Sequence, residues 1–183
     1  MQEIKLHLGC GGKNIPGFIN IDLSDYDHIH YRRDIRDLSI FADHHADLIY
    51  CCHALEYFDR IEVVAILKEW RRVMKPGGKL RVSVPNFSSI VKIYSKYKDL
   101  EHQGILGPLY GKWSATTAET IYHKTVYDKP SLERLLTSVG FKNISSYDPH
   151  NTEHAEYDDY SMAYVPHMDK TGIMLSLNIE CEK

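Results

Sequence analysis

The chain has 183 residues, of which 43% are hydrophobic and 26% charged, and its formal net charge is −3 at pH 7. This length suits one domain, residues 1–183, with a core of its own. The near-neutral charge excludes a general electrostatic pull toward nucleic acid, although 11 histidines can change the balance in mild acid. The four cysteines, Cys10, Cys51, Cys52 and Cys181, form no C-x-x-C pair. Spacing therefore argues against a zinc site, and the domain size argues against dependence on disulfides, so reduced thiols and a cytoplasmic location are expected. The start, MQEIKLHLG, has no h-region of a signal peptide, and no apolar run is long enough to span a membrane.

Ile4 to Leu8 alternates into Gly9 and reads as a buried strand. Phe18 to Leu23 is a second strand, His28 to Arg32 a short third, and Ala46 to Cys52 a fourth that is apolar on both faces, as in a central parallel strand. Asp59 to Met74 has helical spacing, with Ile61, Val64, Ile66, Leu67, Trp70 and Val73 near one side. Arg71, Arg72 and Lys75 read as a solvated helix end. Lys75-Pro76-Gly77-Gly78 then turns the chain into a strand over Lys79 to Val84. Strand, helix, turn and strand make a βαβ unit and predict a parallel sheet. Phe87 to Leu100 is predicted helical, 101–125 irregular, Pro130 to Val139 helical, Phe141 to Tyr147 a strand, 148–171 a long loop, and Gly172 to Cys181 the closing strand.

The glycines after the first strand narrow the ligand. A Walker A loop ending at Gly12-Lys13 would need glycine at His7 and a hydroxyl at Asn14, and both are missing. A dinucleotide fingerprint starting at Gly9-x-Gly11 would need glycine at Asn14, and its acid would lie further on than Asp22. Gly9 and Gly11 permit a close approach of backbone to ligand. Asp22, ending the next strand, can accept hydrogen bonds from two ribose hydroxyls.

The ordered set of segments resembles the class I S-adenosylmethionine-dependent methyltransferases. HLGCGG is similar to their first motif, NID to the second-strand acid, and ADLIYCCHALEYF to the fourth-strand segment. LKEWRRVMKPGGKLRVSVPN resembles the following helix, turn and strand, YDKPSLERLLTSVGFKNI a late helix and strand, and SLNIECEK the final strand. The resemblance implies an α/β fold, a doubly wound three-layer sandwich whose mostly parallel seven-stranded sheet has an antiparallel last strand. It implies S-adenosyl-L-methionine as cofactor. Gly9, Cys10 and Gly11 would line its methionine and ribose end, Asp22 would hold the ribose hydroxyls, and Leu23 would pack on the adenine. Asp34 and Ile35 would lie near the adenine edge, and Cys51 and His53 beside the methionine moiety. Two departures stand out. His7 replaces the customary first-strand acid, and 12–17 is too short for a crossover helix, so a single turn and a more open ligand edge are expected.

The long polar segments are expected to shape the acceptor pocket. The first holds Tyr110, Trp113, Tyr122, His123 and Tyr127; the second holds His150, Glu153, His154, Asp158, Asp159, Tyr160 and His167. His123 is the first candidate for a catalytic base and His154 the second, while Glu56 is read as a residue that orders its loop. No metal-ligand spacing such as H-E-x-x-H occurs. The expected reaction is methyl transfer to a small-molecule or saccharide-type acceptor, with nucleic acid and membrane not expected as partners and a homodimer allowed. The alternative, prompted by His7 and the short first crossover, is a non-catalytic or regulatory protein that binds the adenosyl cofactor.

Overall fold

Four short strands come first: β1 (Lys5–Leu8), β2 (Ile19–Asp22), β3 (Tyr31–Arg32) and β4 (Ala46–Cys52). The structure is a computed structural model that describes residues 3–102, 104–114, 120–157 and 159–183. Between β1 and β2 the chain makes only turns, as the short spacing predicts, and no helix joins β2 to β3 or β3 to β4. Helix α1 (Glu62–Val73) then leads into β5 (Met74–Pro85). Asp59 starts α1: its Oδ1 accepts the Ile61 and Glu62 amides at 2.7 and 2.8 Å. Val63, Ile66, Leu67, Trp70 and Val73 form its buried stripe.

The Lys75-Pro76-Gly77-Gly78 segment is a bulge inside β5, not a turn between elements. Met74 pairs with Ala46 and Lys79 with Leu48, so four residues oppose Asp47 alone. A Cβ at Gly78 would lie 2.9 Å from Lys75 O and 3.1 Å from Ala46 O, so the bulge can close only with glycine there. Arg72 is likewise more than a solvated end. Its guanidinium binds Glu69 and Asp43 and the carbonyls of Leu38 and Phe41, tying the β3–β4 connection to α1.

Helix α2 (Phe87–Tyr97) follows, capped by Asn86, and then the short helix α3 (Leu106–Tyr110). The segment expected to be irregular also contains a hairpin, β6 (Lys112–Ser114) with β7 (Thr120–Tyr122). Helix α4 (Lys129–Val139) has a capping box between Asp128 and Ser131 and ends at Gly140, whose φ is +99°. After β8 (Lys142–Ser146), the long loop carries one-turn 3₁₀ helices at Pro149–Asn151 and Tyr160–Met162. It also carries β9 (Tyr164–Val165), which pairs with β10 (Ile173–Met174) before the closing strand β11 (Ser176–Glu182).

The main sheet has seven strands in the order β3-β2-β1-β4-β5-β11-β8. Its pairings are parallel except that β11 runs antiparallel to both β5 and β8. Alternation assigns the two faces. Leu6, Leu8, Ile49, Cys51, Leu80, Val82 and Ile179 join α1 and α4 in one apolar cluster. Burying each large side chain there contributes about 1.5–3 kcal/mol. The opposite face is more polar. It presents His7, Tyr50, Arg81, Ser83, Asn178 and Glu180, covered by residues of 147–157 and 159–163. The sheet thus lies between two covering layers, and the second is built from the one-turn 3₁₀ helices with Ile15 and Phe18 of the β1–β2 turn.

Candidate active site

The carboxyl ends of β1, β2 and β4 open into one cleft of about 1510 Å³. That exceeds the usual volume of a single small-ligand pocket, roughly 300–1,000 Å³, and leaves space for two molecules side by side. The β1–β2 turn forms one wall. Gly9 has φ +67° and Gly11 φ +50°, both in the left-handed region. A Cβ on Gly9 would lie 2.6 Å from the Cβ of Ala54, so glycine there lets the loop pack against the segment after β4. Nothing stands within 4 Å of the Gly11 position, so its backbone faces open cleft.

Asp22 holds this turn in place. Its Oδ2 accepts the Gly11 amide at 2.8 Å and its Oδ1 accepts the Ser24 amide at 2.8 Å. The carboxylate is buried yet borders the cleft, and each oxygen keeps a further lone pair. His28 Nε2 lies 3.0 Å from Gly11 O and braces the same loop from outside. Leu23 is 37% exposed and gives the cleft an apolar surface. Asp34 and Ile35 stand beside it. The Asp34 carboxylate is tied to the Arg36 guanidinium at 2.6 and 2.8 Å, and Ile35 O accepts the Trp70 indole N–H at 2.8 Å. The Cys10 thiol is pushed up to about 12, mainly by burial, and is therefore neutral.

Two sequence expectations are corrected. Cys51 faces the apolar cluster, and its neighbour Cys52 borders the cleft, because successive side chains of a strand point to opposite faces. His154 lies on the far face of the sheet, its ring centroid 4.3 Å from that of Tyr50, and it does not border the cleft. His7 is on that far face too, 5.2 Å from Tyr50, and reaches the cleft floor. Burial lowers its pKa to about 4, so it carries no charge with which to replace an acid. Tyr127 is core, and Glu153 is held by Arg81 at the far face. His150 lies 3.1 Å from the Tyr164 hydroxyl. Asp159, Tyr160 and His167 border the cleft, whereas Tyr110 and Tyr122 are exposed. Asp158 and the side chain of Trp113 lie outside the described residues.

The floor beneath the open space is formed by His53, Glu56 and His123. His53, at φ +50°, donates its amide to Ser83 O at 2.8 Å. The backbone carbonyl of Glu56 accepts the amides of Lys124 and Thr125 at 2.9 and 3.3 Å, which carries the 120s segment over the cleft and seats His123. Gly111 makes room for that ring: a Cβ there would lie 2.1 Å from His123 Nε2. The Glu56 carboxyl is buried with neither oxygen hydrogen-bonded among the described residues, and burial pushes it up to about 8. Burial pushes His53 down to about 3, partly offset by Asp159 and reinforced by His123, and it lowers His123 as well.

These groups make stability depend on pH in opposite senses. Unfolded, His7 and His53 take up protons near 6.5, but folded they resist until about 4 and about 3. Acid below 6.5 therefore favours the unfolded chain. Glu56 keeps its proton to about 8 when folded and releases it near 4.5 when unfolded. Its contribution is fully present below 4.5 and is lost as pH rises through 8. On these three groups the thermal midpoint peaks near pH 6.5 and falls on both sides, and Glu56→Gln removes the fall between about 6.5 and 8.5. Circular dichroism melts across this range check it; an alkaline fall unchanged in the variant contradicts the assignment to Glu56.

Residues 6–82 match the family model described as a methyltransferase domain. A solved S-adenosylmethionine-dependent methyltransferase from Methanosarcina mazei is 19% identical with a TM-score of 0.58, over 100% of this chain and 93% of that one. One from Archaeoglobus fulgidus is 15% identical with a TM-score of 0.57, over 99% and 86%. The 1,6-didemethyltoxoflavin-N1-methyltransferase from Burkholderia thailandensis, solved with bound 1,6-didemethyltoxoflavin and S-adenosylhomocysteine, is 12% identical with a TM-score of 0.55, over 98% and 70%. No curated protein matches the sequence.

Proposed function

We propose that the chain, whose residues 6–82 match a methyltransferase-domain model, is a class I S-adenosylmethionine-dependent methyltransferase and transfers a methyl group to a small-molecule or saccharide-type acceptor that gives up a proton. The observation that carries this reading is the Gly9–Gly11 turn tied by Asp22 at the edge of a cleft large enough for cofactor and acceptor. The residues fit an adenosyl group: open space over Gly11, a buried carboxylate with spare lone pairs at Asp22, and the apolar surface of Leu23. When bound, S-adenosylmethionine supplies a methyl group activated by its sulfonium.

The chain's own residues align and deprotonate. Gly9, Cys10 and Gly11 offer backbone to the methionine and ribose end, and Asp22 accepts the ribose hydroxyls. Leu23, Asp34 and Ile35 hold the adenine, and His53 borders the methionine end. His123 accepts the acceptor's proton. Its Nδ1 lies 2.9 Å from Pro108 O, which can only accept, so Nδ1 carries the hydrogen and Nε2 keeps its lone pair. Burial keeps this ring neutral near pH 7, as a base requires. Among the described residues no helix is long and apolar enough to cross a membrane, and action on a cytoplasmic metabolite is part of the proposal.

Titration calorimetry with S-adenosylmethionine and S-adenosylhomocysteine tests it. Saturable binding of both is expected, and no binding at millimolar ligand overturns the reading. Cofactor binding without transfer of labelled methyl into any metabolite fraction favours the non-catalytic alternative, which the uncharged His7 supports.

A further inference from the structure

Glu56 lies on the one-turn helix Leu55–Tyr57, is 1% exposed, and leaves both carboxyl oxygens without a hydrogen-bond partner among the described residues. Its Oε1 is 3.7 Å from His53 Nδ1 and 3.7 Å from His123 Nε2. The far nitrogen of each ring decides its tautomer. Ser176 donates its hydroxyl to Tyr160 O at 2.5 Å, so toward His53 Nε2, 2.8 Å away, Ser176 Oγ can only accept. His53 therefore carries its hydrogen on Nε2, and His123 carries its own on Nδ1 toward Pro108 O. Both neutral rings place their lone-pair nitrogens 3.7 Å from one buried carboxyl oxygen.

We propose that Glu56 is a positioning residue for proton removal, which switches His123 on when it is ionised and off when it is protonated. This rests on the methyl-transfer reading, since it presupposes an acceptor with a proton to lose. In the ionised state the cluster is one carboxylate and two neutral imidazoles. The acceptor's O–H or N–H proton passes to the Nε2 lone pair of His123, and the electron pair of that bond stays on the acceptor atom. The imidazolium so formed faces the carboxylate, and the cluster's charge changes from −1 to 0. In the protonated state the Glu56 O–H has the two ring lone pairs beside it to donate to, and the carboxylate that would stabilise an imidazolium is gone.

The other titratable groups facing Glu56 are Cys51 of β4, Tyr57 beside it and Tyr127 before α4. Burial raises all three, and they stay neutral through the relevant range. The Lys124 ammonium pairs with Glu62 at 3.0 Å. The switch therefore follows the carboxyl group itself, near pH 8.

The test uses the full-length chain with S-adenosylhomocysteine. Carbon-13 carboxyl and nitrogen-15 imidazole NMR are expected to show Glu56 and His123 sharing one midpoint near 8, and Glu56→Gln is expected to remove that midpoint from the His123 signals. An ionised Glu56 at pH 6, or a His123 titration indifferent to the substitution, overturns the proposal. Transfer from methyl-labelled S-adenosylmethionine into a metabolite fraction supplies the second readout. The wild type should gain rate through the same midpoint, and Glu56→Gln should lose about 100-fold and lie flat. Glu56→Asp should keep a displaced profile. A rising profile retained by Glu56→Gln sinks this proposal alone, whereas no transfer by the wild type with the NMR titration intact sinks the methyl-transfer reading and this role with it.

Discussion

Asp22→Ala is expected to lower affinity for S-adenosylmethionine and S-adenosylhomocysteine by about 100-fold or more. The substitution removes two things at once. It deletes the acceptor proposed for the ribose hydroxyls, and it strands the amides of Gly11 and Ser24, which the carboxylate accepts at 2.8 Å each. Leaving a buried donor unpaired costs about 1–3 kcal/mol, so the β1–β2 turn should loosen even without ligand. Asp22→Asn keeps one acceptor oxygen but turns an N–H group toward one of the two amides, and it should fall between wild type and alanine. Calorimetry measures the affinity and urea unfolding the loss of stability. Wild-type affinity in Asp22→Ala would show that the carboxylate serves the turn alone and that the ligand is held elsewhere.

Trp70→Ala is expected to destabilise the fold by about 3–5 kcal/mol, a large fraction of the roughly 5–15 kcal/mol that holds a typical domain together. Trp70 is fully buried in the cluster between α1 and the sheet. Its indole N–H is the partner of Ile35 O, and Ile35 borders the cleft although Trp70 does not. The two effects separate in Trp70→Phe. That variant keeps most of the apolar volume but leaves the Ile35 carbonyl unpaired, so cofactor affinity should fall while most of the stability survives. Urea denaturation of both variants, with calorimetry on Trp70→Phe, checks this. Full affinity in the phenylalanine variant would mean that the Asp34–Ile35 segment is held without the indole.

Much of the architecture is written in local pattern. Period-two alternation marks β1, β2 and β5, a continuous apolar run marks β4, and the stripe of Val63, Ile66, Leu67, Trp70 and Val73 marks α1. Asp128, Ser131 and Gly140 bound α4 at both ends. Among the expected cofactor residues, Gly9, Cys10, Gly11, Asp22, Leu23, Asp34, Ile35 and His53 border one cleft, because each ends or follows a strand whose carboxyl end opens on the same edge. Cys51 went astray by a single residue: an apolar strand buried on both faces gives no alternation from which to tell which side each cysteine takes.

The amino-acid order by itself determined the βαβ frame, the glycine turn and its carboxylate, and the lack of a first crossover helix, since each depends on residues close together in the chain. Tertiary structure alone decided the rest. It placed His154 behind the sheet and His123 in the cleft, and it set the Glu56 carboxyl, without a hydrogen bond among the described residues, between two imidazoles that come from positions 3 and 67 residues away. The reason is that burial and facing lone pairs depend on how distant segments pack, and the spacing of histidines and acids along the chain holds no record of that packing.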